Sequence, residues 1–170
     1  MIKTILLASD LGAYSAYSLA YVEQLARRFN AKIVILHVVA PVDALSSAVL
    51  KTRAPKAVAN GQYPVADLLA TIREQAFERL LADEFGVDFS DYLQDIVVRS
   101  GNPANTIVNY AHQHPVDMIV IGNCSHPESA RPMLGSIANK VLQLAQVPVF
   151  LVPLNAHLLG DHAGRHLQPR

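Results

Sequence analysis

The stretch from Asp117 to Pro153, DMIVIGNCSHPESARPMLGSIANKVLQLAQVPVFLVP, leaves few folds open to this chain. Met118 to Ile121 is an uninterrupted apolar run, as expected of a parallel strand covered on both faces, and it stops at Gly122. After Gly135 the apolar residues Ile137, Val141, Leu142 and Leu144 recur at roughly helical spacing, which predicts a helix with Ser136 at its N-cap. A second apolar run, Val147 to Val152, follows as a strand. A strand that leads through a glycine-bounded loop to a helix start presents backbone N–H groups and the positive end of a helix dipole to an anion such as phosphate.

The rest of the chain repeats this alternation. Ile5 to Ser9 reads as the first strand, and Ser15 to Phe29 as a helix that buries Leu19, Val22, Leu25, Ala26 and Phe29 along one face until Asn30 ends it. Lys32 to Val39 is a strand rich in β-branched residues, closed by Ala40-Pro41. Strand, helix and strand in so short a span form a βαβ unit, whose crossover is right-handed. Residues 41–62 have no clean period. Helical spacing resumes from Pro64 through Leu68, Leu69, Ile72, Phe77, Leu80 and Leu81 and stops at Gly86. Asp95 to Ser100 is a third strand, after which Gly101-Asn102-Pro103 opens a helix that His114-Pro115 ends. Five strands alternating with four helices predict an α/β fold: a doubly wound, open, five-stranded parallel sheet with helices on both faces, of Rossmann-like architecture.

At 170 residues with 51% hydrophobic content, the chain suits one compact domain. Fourteen basic and fourteen acidic residues cancel, which argues against a nucleic-acid binder held by a general electrostatic field. Cys124 is the only cysteine, so no intrachain disulfide forms and a reducing compartment is the simpler expectation. The first apolar stretch ends at Asp10, too soon for a signal peptide or a membrane span. A soluble, cytoplasmic protein without membrane insertion is expected.

In doubly wound sheets ligands sit beyond the carboxyl ends of the strands, where strand order reverses. The candidates are therefore Ser9 and Asp10 with Leu11 and Gly12, Val38 to Ala40, Gly101 and Asn102, Gly122 to Ser125, and Gly135 with Ser136. A carboxylate at Asp10 fits beside phosphates when a divalent cation or a ribose hydroxyl stands between them, and it can also accept from an adenine amino group. Each candidate has a plainer reading too: Gly122 as a strand end, Ser136 as a helix cap, Asp10 as a turn or cap near Ser15. Cys124-Ser125-His126 lacks the nucleophile-elbow pattern, and adjacency in sequence makes no triad, so no catalytic residue is assigned. His112 and His114 complement a helix C-terminus. His162 and His166 have a helical metal spacing, but Gly164 lies between them and no metal site is assigned. Lys51, Arg53 and Lys56 read as solvated loop charges.

The segments ILLASD, NAKIVILHVV, SGNPANTIVNYAHQHPVDMIVIG and GSIANKVLQLAQVPVFLVP together resemble the universal stress protein family over residues 1–153, leaving 154–170 as a polar tail. Nucleotide-binding members carry the loop G-x2-G-x9-G-[ST]. Gly122, Gly135 and Ser136 match it, while Ser125 stands where the second glycine belongs. Serine brings a Cβ toward the ligand and tolerates a left-handed backbone poorly, at a cost of about 1 kcal/mol or roughly fivefold in affinity. Pro132 removes one loop N–H and Arg131 adds a cation. The resemblance implies that ATP or AMP, with Mg2+, is bound as a regulatory ligand. Asp10 would meet the adenosine, Val38 would form part of the adenine wall, and Gly122, Ser125, Gly135 and Ser136, with Arg131 near by, would hold ribose and phosphates. It also implies a homodimer joined through the last strand, Val147 to Val152, and at most slow ATP hydrolysis. A nucleotide-independent dimerisation module is the alternative, and Ser125 favours it.

Overall fold

The computed structural model describes residues 1–10, 15–40, 71, 75, 91–123 and 134–154. In chain order the elements are β1 (Thr4–Ala8), α1 (Ser15–Phe29), β2 (Lys32–Val39), β3 (Leu93–Ser100), α2 (Pro103–Gln113), β4 (Met118–Gly122), α3 (Ser136–Leu144) and β5 (Val149–Val152). Thr71 and Gln75 are helical, and the rest of the helix expected from Pro64 lies outside the described residues. The strands form one five-stranded sheet in the order β3-β2-β1-β4-β5, and every pairing is parallel. This is the doubly wound α/β fold expected from the alternation of elements.

Strand periodicity sorts the core into two layers. Ile5 and Leu7 of β1, Ile33 and Ile35 of β2, and Met118 and Val120 of β4 pack with Leu19, Val22 and Ala26 of α1. The intervening residues Leu6, Ala8, Val34, Leu36, Ile119 and Ile121 pack with Ala104, Ile107 and Ala111 of α2 and with Ala138 and Val141 of α3. Both sheet faces are covered, which is why these strands read as continuous apolar runs.

The element ends have local causes. Asn30, at φ 51°, takes the left-handed position that asparagine tolerates, and the Ala31 N–H then reaches back to the Ala26 carbonyl at 2.9 Å to close α1. Gly101 has φ +151°, and a Cβ there would meet Thr106 Oγ1 at 2.7 Å, so only glycine turns the chain from β3 into α2. Asn102 caps α2 by accepting from the Asn105 N–H at 3.2 Å. At the opposite end of the sheet Asp117 Oδ2 accepts from the N–H groups of Lys3 at 2.7 Å and Thr4 at 2.9 Å, pinning the start of β4 to that of β1. Those two bonds hold its carboxyl below the usual carboxylate range.

Three expected boundaries shift. β1 begins and ends one residue earlier than Ile5 to Ser9, although the Ser9 N–H still donates to the Leu36 carbonyl at 3.1 Å. β3 begins at Leu93 rather than Asp95, and its register against β2 slips between Ile33 and Val34. β5 begins at Val149 rather than Val147, because Pro148 has no N–H to donate, although its carbonyl accepts from the Ile119 N–H at 2.9 Å.

Candidate functional site

The strand order reverses direction between β1 and β4: from β1 the chain runs outward through β2 to β3, and from β4 outward to β5. Helix α1 lies against one face of the sheet and α3 against the other. A crevice therefore opens at the carboxyl ends of these two strands.

Asp10 follows β1 on this rim and is exposed. The buried Ser15, first residue of α1, donates from Oγ to Asp10 Oδ1 at 3.4 Å and pairs with Ser9 Oγ at 2.9 Å. Since the Ser15 hydroxyl has one proton, donating it to the carboxylate leaves Ser15 to accept from Ser9, so two hydroxyls run in series to Asp10. The first residue of α1 and the rim carboxylate are thus parts of one arrangement. On β2, His37 Nδ1 lies 3.0 Å from the Ser9 carbonyl. A carbonyl only accepts, so Nδ1 carries the proton, and the ring holds the backbone just ahead of Asp10. Val38, the next residue, packs into the α2/α3 layer that contains Ala8, Ile121 and Ala138.

On the β4 side, Gly122 ends the strand and Asn123 follows, buried. The Gly135 N–H donates to the Asn123 carbonyl at 2.7 Å, which brings the start of α3 back to the mouth of β4. Ser136 is not the N-cap that helical spacing predicts. Gly135 occupies that position, with φ −60° and ψ 149°, and Ser136 is the first helical residue. A glycine cap has no side chain to satisfy the first-turn N–H groups, and that turn carries no acidic residue. The start of α3, with no acidic residue in its own first turn, therefore stands beside the end of β4.

Of the seven residues singled out as ligand contacts, the fold brings Asp10, Val38, Gly122, Gly135 and Ser136 to one rim. Ser125 and Arg131 lie outside the described residues, as do Cys124, His126, Lys51, Arg53, Lys56, His162 and His166. Gly101 and Asn102 stand at the end of β3, two strands away from β1, where both serve the β3–α2 turn. His112 is in the last turn of α2, while His114 caps it. The His114 ring donates from Nδ1 to the Tyr110 carbonyl at 2.9 Å and stacks on the Tyr110 ring with centroids 3.9 Å apart. Sequence reasoning missed His37 as a member of the rim, and it included Asn123 only within the stretch Gly122 to Ser125, without a role of its own. For His37 the signal was a lone polar residue inside an apolar strand; for Asn123 nothing distinguished it from any residue after a strand. Among the described residues no helix is long and apolar enough to cross a membrane, and no three His, Cys, Asp or Glu side chains cluster as a metal site.

A five-stranded parallel sheet with strand order β3-β2-β1-β4-β5 and helices on both faces places the chain in the doubly wound α/β class. The sequence profile of the universal stress protein family matches residues 1–153, and the chain belongs to that family. It is similar to a universal stress protein of Methanocaldococcus jannaschii, with 26% identity over 155 residues covering 88% of this chain and 81% of the relative. Its fold is similar to that of the solved universal stress protein UspA from Lactobacillus plantarum, at TM-score 0.63 and 22% identity, with 89% of this chain and 97% of that one covered. A universal stress protein solved in complex with cAMP also shares the fold, at TM-score 0.54 and 21% identity, covering 89% of this chain and 97% of that one.

Proposed function

We propose that this universal stress protein binds an adenine nucleotide, ATP or AMP, in the crevice between β1 and β4. The nucleotide acts as a regulatory ligand of a cytoplasmic, dimeric stress-response protein whose single domain spans residues 1–153, with 154–170 as a tail. The observation that carries this reading is the Gly135 N–H bond to the Asn123 carbonyl at 2.7 Å, which sets a helix start with no side-chain cap against the end of β4. Phosphate oxygens then accept from the first-turn amides of α3, with Ser125 and Arg131 as further donors. Val38 borders the adenine. Asp10 accepts from the adenosine or, through Mg2+, faces the phosphates. The fold shared with a universal stress protein in complex with cAMP, itself an adenine nucleotide, supports this ligand class. Slow hydrolysis needs a group that orients water, and none of the residues assigned to the rim is given that role. The dimer forms through the outer strand β5, whose Val149, Phe150 and Leu151 are only half-buried within one chain.

A thermal melt with and without Mg-ATP tests the reading. At 100 times its dissociation constant the ligand adds about 2.7 kcal/mol, a rise of several degrees. An unchanged midpoint at millimolar ATP would support the second reading, a dimerisation module that works without nucleotide, which Ser125 in place of the family's glycine favours.

A further inference from the structure

Asn123 is the buried polar residue at the base of the loop, 9% exposed. Its N–H donates to the Val152 carbonyl at 2.9 Å and its carbonyl accepts from the Gly135 N–H at 2.7 Å. Its side-chain Oδ1 accepts from the Leu154 N–H at 2.7 Å, a buried bond across 31 positions of sequence. Leu154 is itself 6% exposed and belongs to the core layer under α1. One residue therefore joins the end of β4, the start of α3 and the end of β5, and only the third bond depends on its side chain.

We propose that Asn123 is a positioning residue that couples the anion site at the start of α3 to the outer strand β5, so that nucleotide binding and ordering of the carboxyl end of β5 strengthen each other. The proposal rests on the nucleotide reading above. An anion held between the end of β4 and the first turn of α3 bears on the two segments that the Gly135–Asn123 bond joins. Motion there reaches Val152 and Leu154, because their buried backbone groups have no water to turn to if the Asn123 bonds break. Order imposed by the nucleotide need not be imposed again when a second copy pairs with β5. The coupling is therefore positive, and each event favours the other by the same factor.

Amide hydrogen exchange on the full chain, with and without saturating Mg-ATP, tests this. Protection of the Leu154 N–H is expected to rise by roughly fivefold or more when nucleotide binds. In Asn123→Ala, which keeps the backbone carbonyl that accepts from Gly135 but loses Oδ1, Leu154 no longer responds at Mg-ATP concentrations shown by calorimetry to saturate the variant. Asn123→Asp keeps an oxygen acceptor and restores the response. Nucleotide bound to the unaltered chain with Leu154 exchange unchanged overturns the proposal and leaves the nucleotide reading standing, and the unaltered chain gives this result whether or not the variants fold. A response that persists in Asn123→Ala also overturns it, and failure of Mg-ATP to bind at all overturns both.

Discussion

Asp117 illustrates how a single side chain holds two strands in register. Its carboxylate takes two backbone N–H groups from the start of β1, bonds of 2.7 and 2.9 Å, and they favour the charged form. The folded-state pKa thus lies below the unfolded value of about 3.9, so the stability it contributes is complete above that value and is lost as pH falls through the folded one. Asp117→Asn keeps one oxygen acceptor but not the charge. Urea denaturation at neutral pH should show a loss of about 1 kcal/mol, and the acid-side decline in stability should be shallower than in the unaltered chain. In sequence Asp117 reads only as the residue before a strand. Its role depends on residues more than a hundred positions away, which no local pattern encodes.

At the scale of elements, α3 trades stability for an open end. An aspartate at its cap would accept from first-turn amides that glycine leaves without a side-chain partner. Because φ −60° suits any residue, Gly135→Asp should fold normally and raise or preserve the melting midpoint, by about a few tenths of a kcal/mol. The same carboxylate would occupy the proposed phosphate position, so calorimetry should show Mg-ATP affinity reduced by roughly tenfold or more. Unreduced affinity would remove α3 from the site. The two sheet edges also differ. β3 carries Gln94, Asp95, Arg99 and Ser100, whereas β5 is wholly apolar in the sequence VFLV. Charges guard an edge against pairing and apolar strands invite it. Leu151→Lys should shift the dimer expected through β5 toward monomer in analytical ultracentrifugation, and an unchanged mass would place the contact elsewhere.

For the whole molecule, stability resides in the two layers on either side of β1. Leu7 is fully buried in the α1 layer, within a central strand that pairs on both sides. Leu7→Ala should therefore cost about 2–5 kcal/mol in urea denaturation, the range for an imperfectly collapsed core cavity. The same layers explain how the rim is built. Helices on opposite faces of neighbouring strands leave an opening at their carboxyl ends, and among the described residues those on this rim come from five separate stretches of chain.

The sequence by itself determined the alternation of strands and helices, the parallel sheet, and the family, because apolar period, glycine and proline placement and local caps act over a few residues. It also marked Asp10, Val38, Gly122, Gly135 and Ser136 as rim positions, since strand ends can be read from where apolar runs stop. Tertiary structure alone decided that Gly135 rather than Ser136 caps α3, that Ser15 and His37 hold the rim around Asp10, and that Asn123 ties β4 to β5. Apart from the Ser15–Asp10 bond, which spans five positions, those outcomes depend on hydrogen bonds between segments well separated in sequence, whose partners meet only after the sheet has assembled.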